Sequence, residues 1–410
     1  MWSWKNWEPF GFSNVRFWNR LNGLSGAAVP PTFLDVAPGV SAAYLQTISA
    51  ALSETRAAAA AAAGAAAAPA APPAFPVRIA YTALHGVGTP LLLRAFAAFG
   101  LPPPSLVSAQ CAPDAAFPTL PFPNSEERGA LELGCAAAAA AGCTLLLAND
   151  PDADRLGAAE WDARAGAWRP FTGNEIGTLL AAWLLRRPPP PGAPQRILVG
   201  SAVSSRAVAA LAAARGAPYV ETLTGFKHMG AVMAAAPANG HRVAFAFEEA
   251  LGYACCDAVR DKDGISAAAV LAEAAHAAAR RGATLRGELD ALAAQHGLFL
   301  TAAGYLRAPG DGAATAAIFA RLRNGGRYWL RLGGGLNIAA IRDLAAGDAG
   351  FDSEAPGGRP ALPHSPGNML TYKLSNTAVV TLRTSGTEPK IKYYAEREAA
   401  AACCCCAASA

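Results

Sequence analysis

Thr144-Leu145-Leu146-Leu147-Ala148-Asn149-Asp150-Pro151-Asp152-Ala153-Asp154-Arg155 is the stretch that decides the fold. Residues 144–148 form one strand-like apolar run without polar alternation, the pattern of a strand buried on both faces. The run ends on Asn149 and Asp150, as a buried parallel strand does when it delivers polar groups to a ligand site at its carboxyl edge. Upstream, residues 77–82 read as another strand, His85-Gly86-Val87-Gly88 as a turn and residues 90–99 as a helix. Strand and helix in alternation predict an α/β layer.

Downstream, a helix is expected over 172–185, with Gly173-Asn174-Glu175 near its start and the proline run 188–191 as its stop. A second unit follows: strand 196–200, helix 204–215, strand 219–222, a loop centred on Gly225, and strand 242–247 before Glu248. After Ala-rich helices between 266 and 296 the composition turns Gly-rich, with Gly333-Gly334-Gly335 as a marker. At roughly 100–200 residues per domain, 410 residues suggest several domains. The expectation is a multidomain α/β protein, with two α/β/α domains over 38–170 and 171–298 and a smaller α+β domain over 299–396. Residues 1–37 form an atypical leading segment and 397–410 a low-complexity tail.

Lys and Arg number 34 against 30 Asp and Glu, a net charge of +4 with no basic run or stripe, so no nucleic-acid partner is expected. Trp2, Trp4, Trp7 and Trp18 fall in a polar stretch with no uninterrupted apolar core, so neither a signal peptide nor a membrane anchor is read there. The stretch 57–68 is almost pure Ala, followed by Pro69, Pro72 and Pro73, and reads as a low-complexity linker. The Cys255-Cys256 pair and the cysteines at 403–406 lack zinc-finger spacing, and free thiols in a reducing compartment follow. A cytoplasmic monomer without a membrane partner is the expectation.

Five segments carry chemistry. Asp150, Asp152 and Asp154 alternate, so in an extended turn their carboxylates converge on one centre; oxygen donors suit Mg²⁺, which keeps few protein ligands beside a phosphate oxygen. Arg155 then faces that phosphate. The loop lacks the central Gly and distal Glu of an EF-hand. Leu223-Thr224-Gly225-Phe226-Lys227-His228-Met229-Gly230 offers Lys227 and His228 to phosphate or hydroxyls, or is an exposed basic turn. In Phe247-Glu248-Glu249-Ala250-Leu251-Gly252-Tyr253, Glu248 can accept hydrogen bonds from vicinal hydroxyls. In Arg260-Asp261-Lys262-Asp263-Gly264, Lys262 can donate a proton or stabilise a transferring phosphoryl group, or belong to a surface ion-pair cluster. Arg383-Thr384-Ser385-Gly386-Thr387-Glu388-Pro389-Lys390, after the strand-like run 378–382, combines a guanidinium, hydroxyls and free backbone N–H groups as a phosphate cradle.

Taken together, LANDPDADRL, TLTGFKHMG, FAFEEALGY, RDKDG and RTSGTEPKIKYY resemble the α-D-phosphohexomutase family, nearest its eukaryotic phosphopentomutase and glucose-1,6-bisphosphate synthase branch, over residues 38–396. The resemblance implies Mg²⁺ on Asp150, Asp152 and Asp154, with Arg155, Lys262 and His85 as catalytic groups. Lys227, His228 and Glu248 are then the sugar ligands, and Arg383, Ser385, Gly386 and Thr387 hold the phosphate that is not transferred. It further implies phosphosugars as ligands, a sugar bisphosphate as intermediate and activator, and interconversion of a sugar 1-phosphate with a 5- or 6-phosphate. The family's first-domain loop, a Thr-Ala-Ser-His-Asn-Pro type string with the phosphoserine, has no counterpart here. The expectation is binding without turnover by the chain as drawn, either as a non-catalytic remnant or from an incomplete gene model. A Mg²⁺-dependent phosphatase is the rival enzyme class, but its loop wants Thr or Val where Asp154-Arg155 stands. Ala250 replaces a serine of many hexose-specific members and leans toward pentose or bisphosphate chemistry.

Overall fold

The computed structural model describes residues 37–53, 75–186, 188–189, 191–307, 312–385 and 390–399. The Trp-bearing leading segment, the Ala-rich stretch 57–68, Gly386, Thr387 and the cysteines at 403–406 lie outside the described residues. The chain divides into a short unit, residues 1–44, and a main unit, residues 45–410. Helix α1 (Ala37–Leu52) begins in the first; its remainder and all later elements belong to the second.

The first sheet comprises β1 (Ile79–Thr82), β2 (Ser105–Leu106), β3 (Leu145–Asn149), β4 (Leu156–Asp162) and β5 (Ala167–Pro170), in the order β2-β1-β3-β4-β5. β1 runs parallel to β2 and β3, and β4 and β5 fold back antiparallel. All five β3 residues are buried, which is why its sequence shows no polar alternation. Helices α2 (Thr89–Phe99) and α3 (Glu132–Ala140) connect these strands, and α2 starts with Pro90 in its first turn and stops at the left-handed Gly100.

Helix α4 (Gly173–Leu185) opens the next layer. It begins one residue later than the sequence suggests because Thr172 is its cap. The Thr172 hydroxyl accepts from the Glu175 N–H at 3.2 Å, and the Glu175 carboxylate accepts from the Thr172 N–H at 2.7 Å, a capping box typically stabilising by ~1 kcal/mol. The second sheet, in the order β7-β6-β8-β9, holds β6 (Gln195–Ser201), β7 (Tyr219–Thr222), β8 (His241–Glu248) and β9 (Gly252–Ala254), parallel except for the β8–β9 hairpin. Helix α5 (Ala207–Ala214) starts three residues after the expected 204, because the residues before it are held by tertiary bonds. Asn174 accepts from the Ser205 N–H, and Glu396 accepts from the Arg206 N–H and Nε. Helix α6 (Phe226–Ala235) follows β7.

Helix α7 (Gly264–Arg280) is buried from Gly264 through Ala278. It packs on α2, α4, β3 and β4, on β9 of the second sheet, and on helix α8 (Leu285–His296). Its alanines present so little bulk that neighbours close around the whole circumference. The start of α8 is anchored to the first sheet: Glu160 of β4 accepts from the Leu285 and Arg286 N–H groups at 2.8 and 2.9 Å, a carboxylate set on a helix N-terminus. The third sheet is wholly antiparallel, in the order β10-β15-β14-β13-β11-β12: β10 (Leu298–Arg307), β11 (Ile338–Asp343), β12 (Phe351–Asp352), β13 (Met369–Leu374), β14 (Ala378–Thr384) and β15 (Lys390–Ala399). Helix α9 (Ala313–Arg323) buries Phe319 against it.

Within α7, His276 is 1 % exposed; its Nδ1 accepts from the Val77 N–H, and Nε2 has no partner among the described residues. Burial, with Arg280 beside it, lowers its pKa to about 4. The unfolded chain, with a value near ~6.5, therefore takes up a proton first as pH falls. The stability held by neutral His276 is complete above that value and is lost between about 6.5 and about 4, on the order of 1–3 kcal/mol. Melting curves across this window should show a steeper acid loss for the parent than for His276→Gln; equal slopes would remove His276 as the cause.

Candidate functional site

Because β3 is locked between neighbours, its last residue sets where the acidic loop begins. Asp150 is buried, Asp154 partly buried and Asp152 exposed, and one carboxylate oxygen from each lies within 4.8 Å of the others. Asp150 accepts from the Arg155 N–H at 3.0 Å, and Arg155 Nε lies 3.2 Å from its other oxygen. Burial is the largest influence on Asp150 and, with Asp154 and Asp152 beside it, pushes its pKa up to about 6 against the opposing Arg155 contacts. Three convergent carboxylates with one open to solvent fit a hard divalent cation, and a Mg²⁺ ion there would relieve the mutual repulsion that raises Asp150.

The β8–β9 hairpin closes on this loop. Leu156 N–H donates to the Leu251 carbonyl at 3.1 Å, and Arg155 bridges to Gly252. Gly252 is required by close approach: a Cβ there would fall 2.7 Å from Lys262 Cδ and 3.0 Å from Glu248 Cγ. Lys262 Nζ is 2.6 Å from Asp154 Oδ2. Burial weakens the Lys262 charge, but Asp154, Asp261 and Glu248 outweigh it and hold the ammonium above the ordinary lysine range. Glu248 ends β8; burial, then Glu249, raises its pKa to about 6, against Lys262, Arg155 and a hydrogen bond from the Gly225 backbone.

Gly225 has φ of 105°, open to glycine alone without strain, and caps α6. Lys227 and His228 therefore stand in the first turn of a helix, Lys227 exposed and His228 partly so. Burial and the Lys227 charge lower the His228 pKa, keeping it neutral near pH 7. In the third sheet Arg383 Nε donates to the Tyr394 hydroxyl at 3.3 Å, and the Ser385 N–H donates to the Lys390 carbonyl at 2.9 Å. Gly386 and Thr387 lie outside the described residues.

The structure thus brings Asp150, Asp152, Asp154, Arg155, Lys262 and Glu248 together, with the Gly225 loop beside Glu248. His85 lies on the turn that borders the acidic loop. Its ring is 4 % exposed and hydrogen-bonded at 2.7 Å to Thr119, which also accepts from Gln110. Leu84 and His85 both have positive φ, and the strained corner they form abuts the acidic loop through the Val87 N–H, which donates to the Pro151 carbonyl at 2.9 Å. This corner supports the loop by its backbone, and the imidazole is hydrogen-bonded to Thr119.

A cavity of about 600 Å³ opens between the sheets, lined among others by Glu126, Arg206, Glu249, Arg342 and Tyr394. The aspartates are not in its wall. Glu126, whose pKa is raised chiefly by burial, feels Arg155, Glu249 and Lys392, which links the third sheet to the acidic loop. Sequence reasoning passes over Glu126 and Tyr394: the first sits in a loop without periodicity, the second in an ordinary strand.

Residues 57–163 match the model described as phosphoglucomutase/phosphomannomutase, alpha/beta/alpha domain II, and 172–295 match domain III of the same series. The chain is 42 % identical over 329 residues to the phosphopentomutase of Mus musculus, covering 78 % of this chain and 52 % of that protein. It is 38 % identical over 328 residues to the glucose 1,6-bisphosphate synthase of Mus musculus, covering 78 % and 52 %. The chain therefore spans about half the length of the curated relatives it matches. Among solved structures, a phosphoglucomutase/phosphomannomutase family protein from Burkholderia thailandensis shares the fold with a TM-score of 0.57 at 18 % identity, over 88 % of this chain and 60 % of that one.

Proposed function

Because the chain belongs to the phosphoglucomutase/phosphomannomutase family, we propose that it serves a phosphosugar mutase: an intramolecular phosphotransferase that interconverts a sugar 1-phosphate with the 5- or 6-phosphate through a bisphosphate intermediate. The observation that supports this most is the convergence of the three aspartates, Arg155, Lys262 and Glu248 from two different sheets onto one place. Mg²⁺ on Asp150, Asp152 and Asp154 supplies charge neutralisation for a phosphoryl group. Arg155 and Lys262 add two cations, with Lys262 already oriented by Asp154. Glu248 is the acceptor for vicinal hydroxyls, and Lys227 and His228 face the sugar from the start of α6. Arg383 and Ser385 hold the second phosphate, so that the same cleft grips either end of a bisphosphate.

Ala250 and the kinship with a phosphopentomutase favour a pentose phosphate, and the kinship with a glucose 1,6-bisphosphate synthase supports the reading of a bisphosphate partner in the cycle. Titration with ribose 1-phosphate and glucose 1-phosphate tests the binding half of this reading. Arg383→Ala should weaken either ligand by about 10- to 100-fold, because a guanidinium makes charge-assisted, paired bonds to phosphate. His228→Ala should cost only about threefold, since its neutral ring offers an ordinary hydrogen bond. Equal losses would sink the ranking, and no binding of either sugar phosphate by the parent would sink the proposal.

A further inference from the structure

We infer that Tyr81 is a positioning residue for the acidic loop, acting through Asn149 without touching a ligand. This rests on the reading of Asp150, Asp152 and Asp154 as a cation site. Tyr81 and Asn149 are both 0 % exposed. The Tyr81 hydroxyl donates to Asn149 Oδ1 at 2.9 Å, and Asn149 Nδ2 donates to the Arg155 carbonyl at 2.5 Å. One amide therefore spans the loop from its first residue to its last and encloses all three aspartates, while β1 holds that amide in place.

The tyrosine decides which way the amide faces. With Oδ1 taking the phenolic proton, Nδ2 is directed at Arg155; the opposite orientation sets two oxygens against each other, Asn149 Oδ1 and the Arg155 carbonyl. Space for the tether is kept open by two glycines. A Cβ on Gly88 would lie 2.7 Å from the Tyr81 hydroxyl, and one on Gly264 would lie 2.5 Å from Asn149 Nδ2. The loop is under tension that calls for such a tie, since Ala153 at its centre has φ of 60°. Tyr81→Phe removes the hydroxyl without changing shape, leaves Asn149 Oδ1 buried without its donor, and frees the amide to turn.

The test uses the full chain with Mn²⁺ as a spectroscopic probe of the cation site, read by electron paramagnetic resonance beside a melting curve. Tyr81→Phe should raise the Mn²⁺ Kd about tenfold. Tyr372→Phe, which loses a comparable bond from Tyr372 to the Leu322 carbonyl at 3.2 Å in the third sheet, should lower Tm similarly and leave the Kd unchanged. Asp152→Ala should abolish binding. A Kd for Tyr81→Phe within about twofold of the parent, with Asp152→Ala still inactive in binding, overturns the positioning role alone. Equal weakening by Tyr372→Phe also overturns it, because the effect then belongs to general destabilisation. Parent-like binding by Asp152→Ala overturns the cation-site reading, and the inference with it.

Discussion

Replacing Gly264 with alanine is expected to cost on the order of 3 kcal/mol of stability and to disorganise the acidic loop together with the helix start. Helix propensity alone argues the other way, since Ala in place of Gly inside a helix is worth roughly 0.5–1 kcal/mol. Sterics decide the sign. A Cβ on Gly264 would fall 2.2 Å from the Arg155 carbonyl oxygen, 2.5 Å from Asn149 Nδ2 and 2.7 Å from the Ala153 carbonyl oxygen. Two of the three atoms are backbone of a loop clamped on both sides, so neither can step aside cheaply. Urea unfolding of Gly264→Ala, with Mn²⁺ affinity measured on the same sample, should show both losses. A gain of about 1 kcal/mol would mean that propensity wins and that the loop yields freely.

Asp152→Ala should have the opposite profile: cation affinity falls by on the order of a hundredfold or more, while stability holds or rises slightly. Asp152 is exposed and makes no hydrogen bond that folding depends on among the described contacts, yet its charge contributes to the upward pKa shift of Asp150. Its removal therefore relieves repulsion in the empty loop and deletes a ligand in the filled one. Calorimetry with Mg²⁺ reads the first effect and thermal melting the second. Unaltered Mg²⁺ binding would remove Asp152 from the site.

The acidic loop was legible in the sequence because two local signals coincide there: five residues with no polar alternation, then carboxylates at alternate positions. Glu248 and Lys262 were legible as candidates, but their meeting was not, since it depends on Gly252 giving room between the β8–β9 hairpin and the Lys262 loop that follows it. The start of α5 was misplaced for a related reason: Ser204, Ser205 and Arg206 are bound by Glu249, Asn174 and Glu396, and propensity sees none of these partners. His85 was legible as part of the turn that borders the acidic loop, whereas its side-chain partner Thr119, 34 residues on, was not. Tyr81 was illegible altogether, for an aromatic in a short apolar strand looks like any other core residue until its hydroxyl is seen at Asn149.

The alanine-walled helix α7 has a mechanical consequence. Because it is enclosed on one side by the first sheet and on another by the second, with α8 tied back to Glu160, those two sheets share a single spine, and a cavity opened in it would loosen both at once. The third sheet is joined to the second by a buried apolar cluster of Leu223, Leu344, Leu362 and Met369 and by ion pairs such as Arg342–Glu221 at 2.7 Å and Arg206–Glu396 at 2.6 Å.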